Sequence, residues 1–330
     1  MRYAQTALLL TIGIAAFAAD AKMPENAPPR TAESVEYDRA REAWLRTVTD
    51  KLMADTDVDV AWAGAALRVR LLGSDDDDGD APVLPPLPSS GVGRLLRAEY
   101  CEAVNRCPDA IAEWATSEPD NLAVLALANE HRDAGLAPLD VAQATHYDDY
   151  SLTLHALAAK VAARYRNDLT PPEKPRHYQH RGCVVIANDD RIEQQIAMTS
   201  FAFDEPLETL ADDATLDPRL RLSLAELLIG AKGTPIAARH GATLGVAAAD
   251  DPTDRERYCR LAERADAASD LDEAVLEDEA LMRALAVALR TRNGIDAYAA
   301  IEAQLPDNQR AAPPDEAAIA ACVARSDAEE

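Results

Sequence analysis

The sequence predicts an all-α protein, an irregular array of antiparallel helical hairpins in the form of a degenerate α-solenoid or a helical bundle. Three observations carry this expectation. Apolar residues recur at helical spacing in long stretches of a chain rich in Ala and Leu. Asp-Pro pairs at Asp217-Pro218 and Asp251-Pro252 are helix-start signals. Strand signals are scarce, and "CVVIA" (183–187) is the one β-like run, short enough to be a buried helical turn.

In chain order, the first residues are MRYAQTALLLTIGIAAFAADAK. Arg2 precedes an apolar or small run, Ala7 to Phe17, and two small-x-small sites follow, Ala16-Phe17-Ala18 and Ala19-Asp20-Ala21. This is the pattern of a secretory signal peptide over 1–21, too short to be a spanning helix. The expected destination is a periplasm or the extracellular space, with no membrane attachment after cleavage. Tyr37, Trp44, Leu45, Val48 and Leu52 predict one long helix, and Trp62, Ala66, Leu67 and Leu71 the next. "GSDDDDGDAPVLPPLPSSGVG" (73–93) is a loop, because Pro and Gly break the helix and adjacent aspartates repel one another.

Leu154, Leu157, Val161 and Tyr165 mark a helix over 150–165. The Pro-rich stretch 169–182 then separates an N-terminal helical half, 22–168, from a C-terminal half, 183–330, or else is a surface excursion from one continuous array. Leu220, Leu224, Leu227 and Leu228 form a further stripe, as do Leu281, Leu285 and Leu289. Ser269-x-x-Asp272 has the spacing of a capping box. Trp44, Trp62 and Trp114 occupy positions expected in a helical core.

Three segments share a layout of helix, Gly-containing turn and helix: 121–149, 279–308 and, less well, 220–245. With its Leu127-Ala128-x-x-His131-x-x-x-Gly135 run, the first resembles the opening helix of tetratricopeptide-type repeats. The second-helix Ala and Phe positions and the closing Pro are out of register. The resemblance spans parts of three hairpins, implies protein or peptide binding on a concave face, and carries over no individual residue.

The five cysteines are Cys101, Cys107, Cys183, Cys259 and Cys322. An oxidising compartment favours bridges, and an odd count leaves one cysteine over. Cys101 and Cys107 can close a short loop, and Cys259 and Cys322 can staple the last helix. That arrangement leaves Cys183, but spacing does not settle the connectivity.

The chain carries 58 Asp and Glu against 33 Lys and Arg, for a net charge of −25. Removing 1–21 takes away Arg2 and Asp20 and leaves the balance unchanged. Such a surface repels nucleic acid and anionic lipid, and it favours a basic protein or peptide as partner. A solvated acidic surface with no partner is the simpler alternative.

His177, His180 and Cys183 within "HYQHRGC" have side chains that suit zinc, with Asp189 or Asp190 as a fourth ligand. A metal-binding protein or metal-dependent hydrolase centred on 177–190 is therefore the alternative to a binding module. Pro172, Pro175 and Gly182 argue for an irregular linker there instead. His146, Tyr147, Asp148, Asp149 and Tyr150 group a histidine with carboxylates; Asp148 or Asp149 is equally suited to cap the helix that follows. The aspartate run fails as an EF-hand, because Pro85 falls where a bidentate Glu is required. The G-x-S-x-G, H-E-x-x-H, GxxxxGK[ST] and G-x-G-x-x-G motifs are absent, and no catalytic residue is assigned.

Overall fold

The computed structural model describes residues 31–73, 83–105, 107, 109–132, 139–175, 191–197, 203–232, 235–271, 279–306, 310 and 313–326. They form fourteen α-helices and one 3-10 turn. Their one sheet-like pairing is an isolated bridge between Asn121 and His146. The class is all-α, as expected.

The helices are α1 (Ala32–Met53), α2 (Val58–Leu72), α3 (Gly91–Val104), α4 (Ala110–Ser117), α5 (Leu122–Glu130), α6 (Ser151–Arg164) and α7 (Ile192–Ala197). Then follow α8 (Asp204–Asp212), α9 (Pro218–Ile229), α10 (Pro235–Ala248), α11 (Pro252–Asp270), α12 (Glu279–Leu289), α13 (Gly294–Glu302) and α14 (Glu316–Ser326). The 3-10 turn is Val141–Gln143. None of these helices is long and apolar enough to cross a membrane.

The chain divides into two compact units, residues 1–44 with 171–190, and 45–170 with 191–330. Of the first, the structure describes 31–44 and 171–175. There α1 opens at Thr31, whose hydroxyl accepts the Ser34 N–H at 3.1 Å.

In the second unit, short polar side chains start the helices by taking up otherwise orphaned N–H groups. Asp57 serves α2, Ser90 serves α3, Asn121 serves α5 and Asn293 serves α13. Asp217 and Asp251 do the same ahead of Pro218 and Pro252, where the missing proline donor costs nothing. Segments on both sides of the Pro-rich stretch share one core: Leu122, Leu125 and Val141 pack with Leu207, Leu224, Leu228, Leu244 and Tyr258. A second cluster gathers Leu271, Leu285, Leu289, Tyr298 and Ile301, with Leu152 against it.

Helix α10 is the hub and touches α8, α9, α11, α13 and α14. Six of its nine buried positions are Ala or Gly: Ala237, Ala238, Gly241, Ala242, Gly245 and Ala248. A Cβ on Gly241 would lie 2.8 Å from the Ala225 carbonyl, and one on Gly245 would overlap the Tyr258 ring. Glycine at these two places lets the α9 backbone and the Tyr258 ring of α11 pack directly on the backbone of α10.

Three sequence expectations need correction. Residues 139–149 do not form the second helix of a hairpin with α5. Instead Thr145 and His146 donate backbone N–H groups to the Asp120 carbonyl at 2.9 and 3.3 Å, and His146 accepts the Leu122 N–H at 2.9 Å. Pairing with a segment about 25 residues earlier outweighs local helix preference here. Ser269-x-x-Asp272 is no capping box, since Ser269 lies inside α11 and its hydroxyl turns back to the Ala265 carbonyl at 2.9 Å. Trp62 and Trp114 are buried, but Trp44 is only half-buried.

Candidate functional site

The proposed ligands His177, His180 and Cys183, with Asp189 and Asp190, lie outside the described residues, as do the "CVVIA" run and residues 74–82 of the acidic loop. Among the described residues, no group of three or more His, Cys, Asp or Glu side chains is placed to hold a metal ion. The four paired cysteines are described: Cys101 meets Cys107 and Cys259 meets Cys322 at disulfide distance, with Cα separations of 5.1 and 6.1 Å.

The His146 group resolves into a buried polar knot whose centre is a residue that sequence reasoning passed over. Asn121 is fully buried. Its side-chain carbonyl accepts the N–H groups of Ala123 (3.2 Å) and Asp148 (3.1 Å). Its amide donates to the Asp148 carbonyl (3.1 Å) and the Tyr150 hydroxyl (3.0 Å). The Tyr150 hydroxyl in turn donates to Glu118, which Arg94 holds at 2.9 Å.

Tyr150 sits at φ 58°, in the left-handed region that a bulky residue rarely adopts. Its ring lies where any Gly91 side chain would have to go. Burial and the Glu118 carboxylate push its phenol far above the usual range. The two carboxylates expected to cap α6 act just ahead of it: Asp148 accepts the Tyr150 N–H at 2.8 Å and Asp149 accepts the Ser151 N–H at 3.0 Å. His146 stays at the surface, 3.7 Å from Asp120. The knot therefore orients backbone, and its one histidine is half exposed beside Asp120.

A histidine and carboxylate do meet elsewhere. His240 Nε2 lies 2.7 Å from Asp204 Oδ1, which also accepts Arg239 Nη2 at 2.7 Å. In a catalytic dyad the carboxylate is sheltered and the imidazole offers its second nitrogen to substrate. Here the order is reversed: the histidine side chain is 6% exposed and the aspartate 45%. Burial would raise the Asp204 carboxyl, but His240 and Arg239 outweigh it and hold it below its ordinary value. The pair fastens the first turn of α8 to α10.

Electrostatics at the surface are one-sided. At least twelve lysines and arginines are committed to ion pairs within the chain, among them Arg68–Asp50, Arg70–Glu99, Lys160–Asp57, Arg257–Glu226 and Arg260–Glu316. With 58 acids against 33 bases, the surplus presented to solvent is carboxylate. A shallow depression beside α13 is lined by Arg292, Asn293 and Asp296. Asp296 also pairs with Arg264 at 3.1 Å, so that rim offers no single sign of charge to a ligand.

The exposed apolar surface is concentrated rather than scattered. Val83, Leu84 and Leu87 are 92%, 42% and 75% exposed, and of the other large hydrophobics described only Val287 is comparably open. Pro85 and Pro88, three residues apart, face inward. Trp62 Nε1 donates to the Pro86 carbonyl at 2.8 Å and pins the segment to α2. Burial recurs every third residue, so this stretch forms a ledge with an apolar outer edge.

These charges set a pH response. Lys160, together with backbone N–H groups, outweighs burial and holds Asp57 below the ordinary carboxylate range. Burial opposes the same lowering at Asp55, where the Tyr165 hydroxyl, the Asp57 N–H and Arg164 prevail. Burial, with Glu205 and Glu102 nearby, raises Glu130. A lowered folded-state pKa stabilises the fold above the unfolded value of about 4 and loses that contribution as pH falls through the folded value. A raised one destabilises at neutral pH and is relieved by mild acid. Stability should therefore hold or rise slightly as pH drops from 7 to about 5, then fall steeply below about 4. Urea midpoints across that range check this; a monotonic fall starting near neutrality would contradict it.

Comparison with known proteins finds no matching family model, no matching curated protein and no matching solved structure.

Proposed function

We propose that the chain works by binding: an exported helical module whose acidic surface engages a basic protein or peptide. The single observation behind this is the charge distribution. At least twelve of its 33 cations are paired with its own carboxylates, and acids outnumber bases 58 to 33, so an approaching macromolecule meets a net negative field. The buried polar clusters favour the same reading over catalysis, because their hydrogen-bonding groups serve neighbouring backbone and helix contacts. Export is supported by the N-terminal pattern and by two cysteine pairs at disulfide distance.

The test is retention of the source organism's exported proteins on the immobilised chain. At an ionic strength of about 0.01 M, where screening reaches about 30 Å, basic proteins should be enriched over acidic ones. At about 1 M, where screening falls to about 3 Å, they should be released. Equal retention of acidic and basic proteins, or retention indifferent to salt, would count against the proposal.

A further inference from the structure

We propose that the ledge of Val83, Leu84 and Leu87 is the place where the basic protein partner docks, through an apolar groove that takes the two leucines. This rests on the binding function above and adds its location. Three exposed large hydrophobics fall within five residues, and clustered apolar exposure points to an interaction site where singly scattered residues do not. Leu84 and Leu87, three residues apart, are both exposed, while Pro85 and Pro88, also three apart, are buried. The Trp62 to Pro86 hydrogen bond keeps the ledge in place before any partner arrives, so little conformational freedom is lost on docking.

Charge selects the occupant. No Lys or Arg occurs between residues 71 and 93, whereas Asp75, Asp76, Asp77, Asp78 and Asp80 come directly before the ledge in sequence. The two flanking cations, Arg70 and Arg94, are already paired with Glu99 and Glu118. Anionic lipid, nucleic acid and a second copy of this chain, itself at −25, all meet like charge there. A basic protein with an apolar groove gains from both features.

The experiment uses the full chain with a photo-crosslinking residue at position 87, or at position 287 as the apolar control, irradiated with the exported proteins of the source organism. A basic protein should be captured at 87 and not at 287, and capture should be lost at high salt. The captured protein, once purified, should bind Leu84→Ser/Leu87→Ser about tenfold or more weakly than the parent chain. Both leucines are exposed, so the variant's thermal melt should match the parent's and exclude misfolding. Equal capture at 287, or an acidic partner at 87, would overturn the ledge. If a basic protein binds in a salt-dependent way but the double variant binds it equally well, the ledge fails and the acidic-surface function stands. If the parent chain binds no basic protein at low salt, both fail.

Discussion

Asn121→Ala is expected to cost the fold about 3 kcal/mol or more, the largest effect of any single substitution proposed for this chain. The side chain is fully buried and meets the backbone of Ala123 and Asp148 as well as the Tyr150 hydroxyl. Removing it leaves donors and an acceptor without partners in a place water does not reach. Tyr150→Phe removes one hydroxyl from the same knot and should cost about 1 kcal/mol. Urea unfolding of the two variants gives the comparison. A loss below about 1 kcal/mol for Asn121→Ala would mean that the knot is not what holds 145–151 against the start of α5.

The second large effect lies in the cysteine pairs, and its ranking follows from loop size alone. Cys259 and Cys322 are 63 residues apart in sequence, Cys101 and Cys107 only 6. Constraint of the unfolded chain by the longer loop is worth about 4 kcal/mol and by the shorter about 2 kcal/mol. Cys259→Ala/Cys322→Ala should thus melt well below Cys101→Ala/Cys107→Ala under oxidising conditions. It should also loosen α14, which the bridge and the Arg260–Glu316 pair fasten to α11. The reverse order of melting temperatures would show that native-state packing around Cys101 matters more than chain entropy.

Much of the helical layout could be read from local chemistry. Asp217-Pro218 and Asp251-Pro252 start helices because the cap acts within three residues, a range that sequence displays directly. The stripes at Leu154, Leu157 and Val161 and at Leu285 and Leu289 are buried as their spacing demands. The failures are non-local. Residues 139–149 are helix-compatible in isolation, but only Val141–Gln143 makes a 3-10 turn, and Thr145 and His146 pair with Asp120 and Leu122 instead. Asn121 gave no signal, since an Asn before an apolar run reads only as a cap, which it also is. His240 was hidden among Ala and Gly, and its partner Asp204 lies 36 residues away. The ledge reads in sequence only as a loop, because Pro and Gly announce a break in the helix and not what a nearby Trp62 does with the Pro86 carbonyl.

The core shared by Leu122 and Val141 with Leu207, Leu244 and Tyr258 has a spectroscopic consequence. All three tryptophans precede residue 115, so the indole reporters sit in the first third of the chain, while far-UV circular dichroism sums every helix. If that core couples the early helices to the late ones, two such different reporters should trace a single transition at one midpoint. The C-terminal helices, which contain no tryptophan, would then announce their own unfolding through the emission of Trp62 and Trp114.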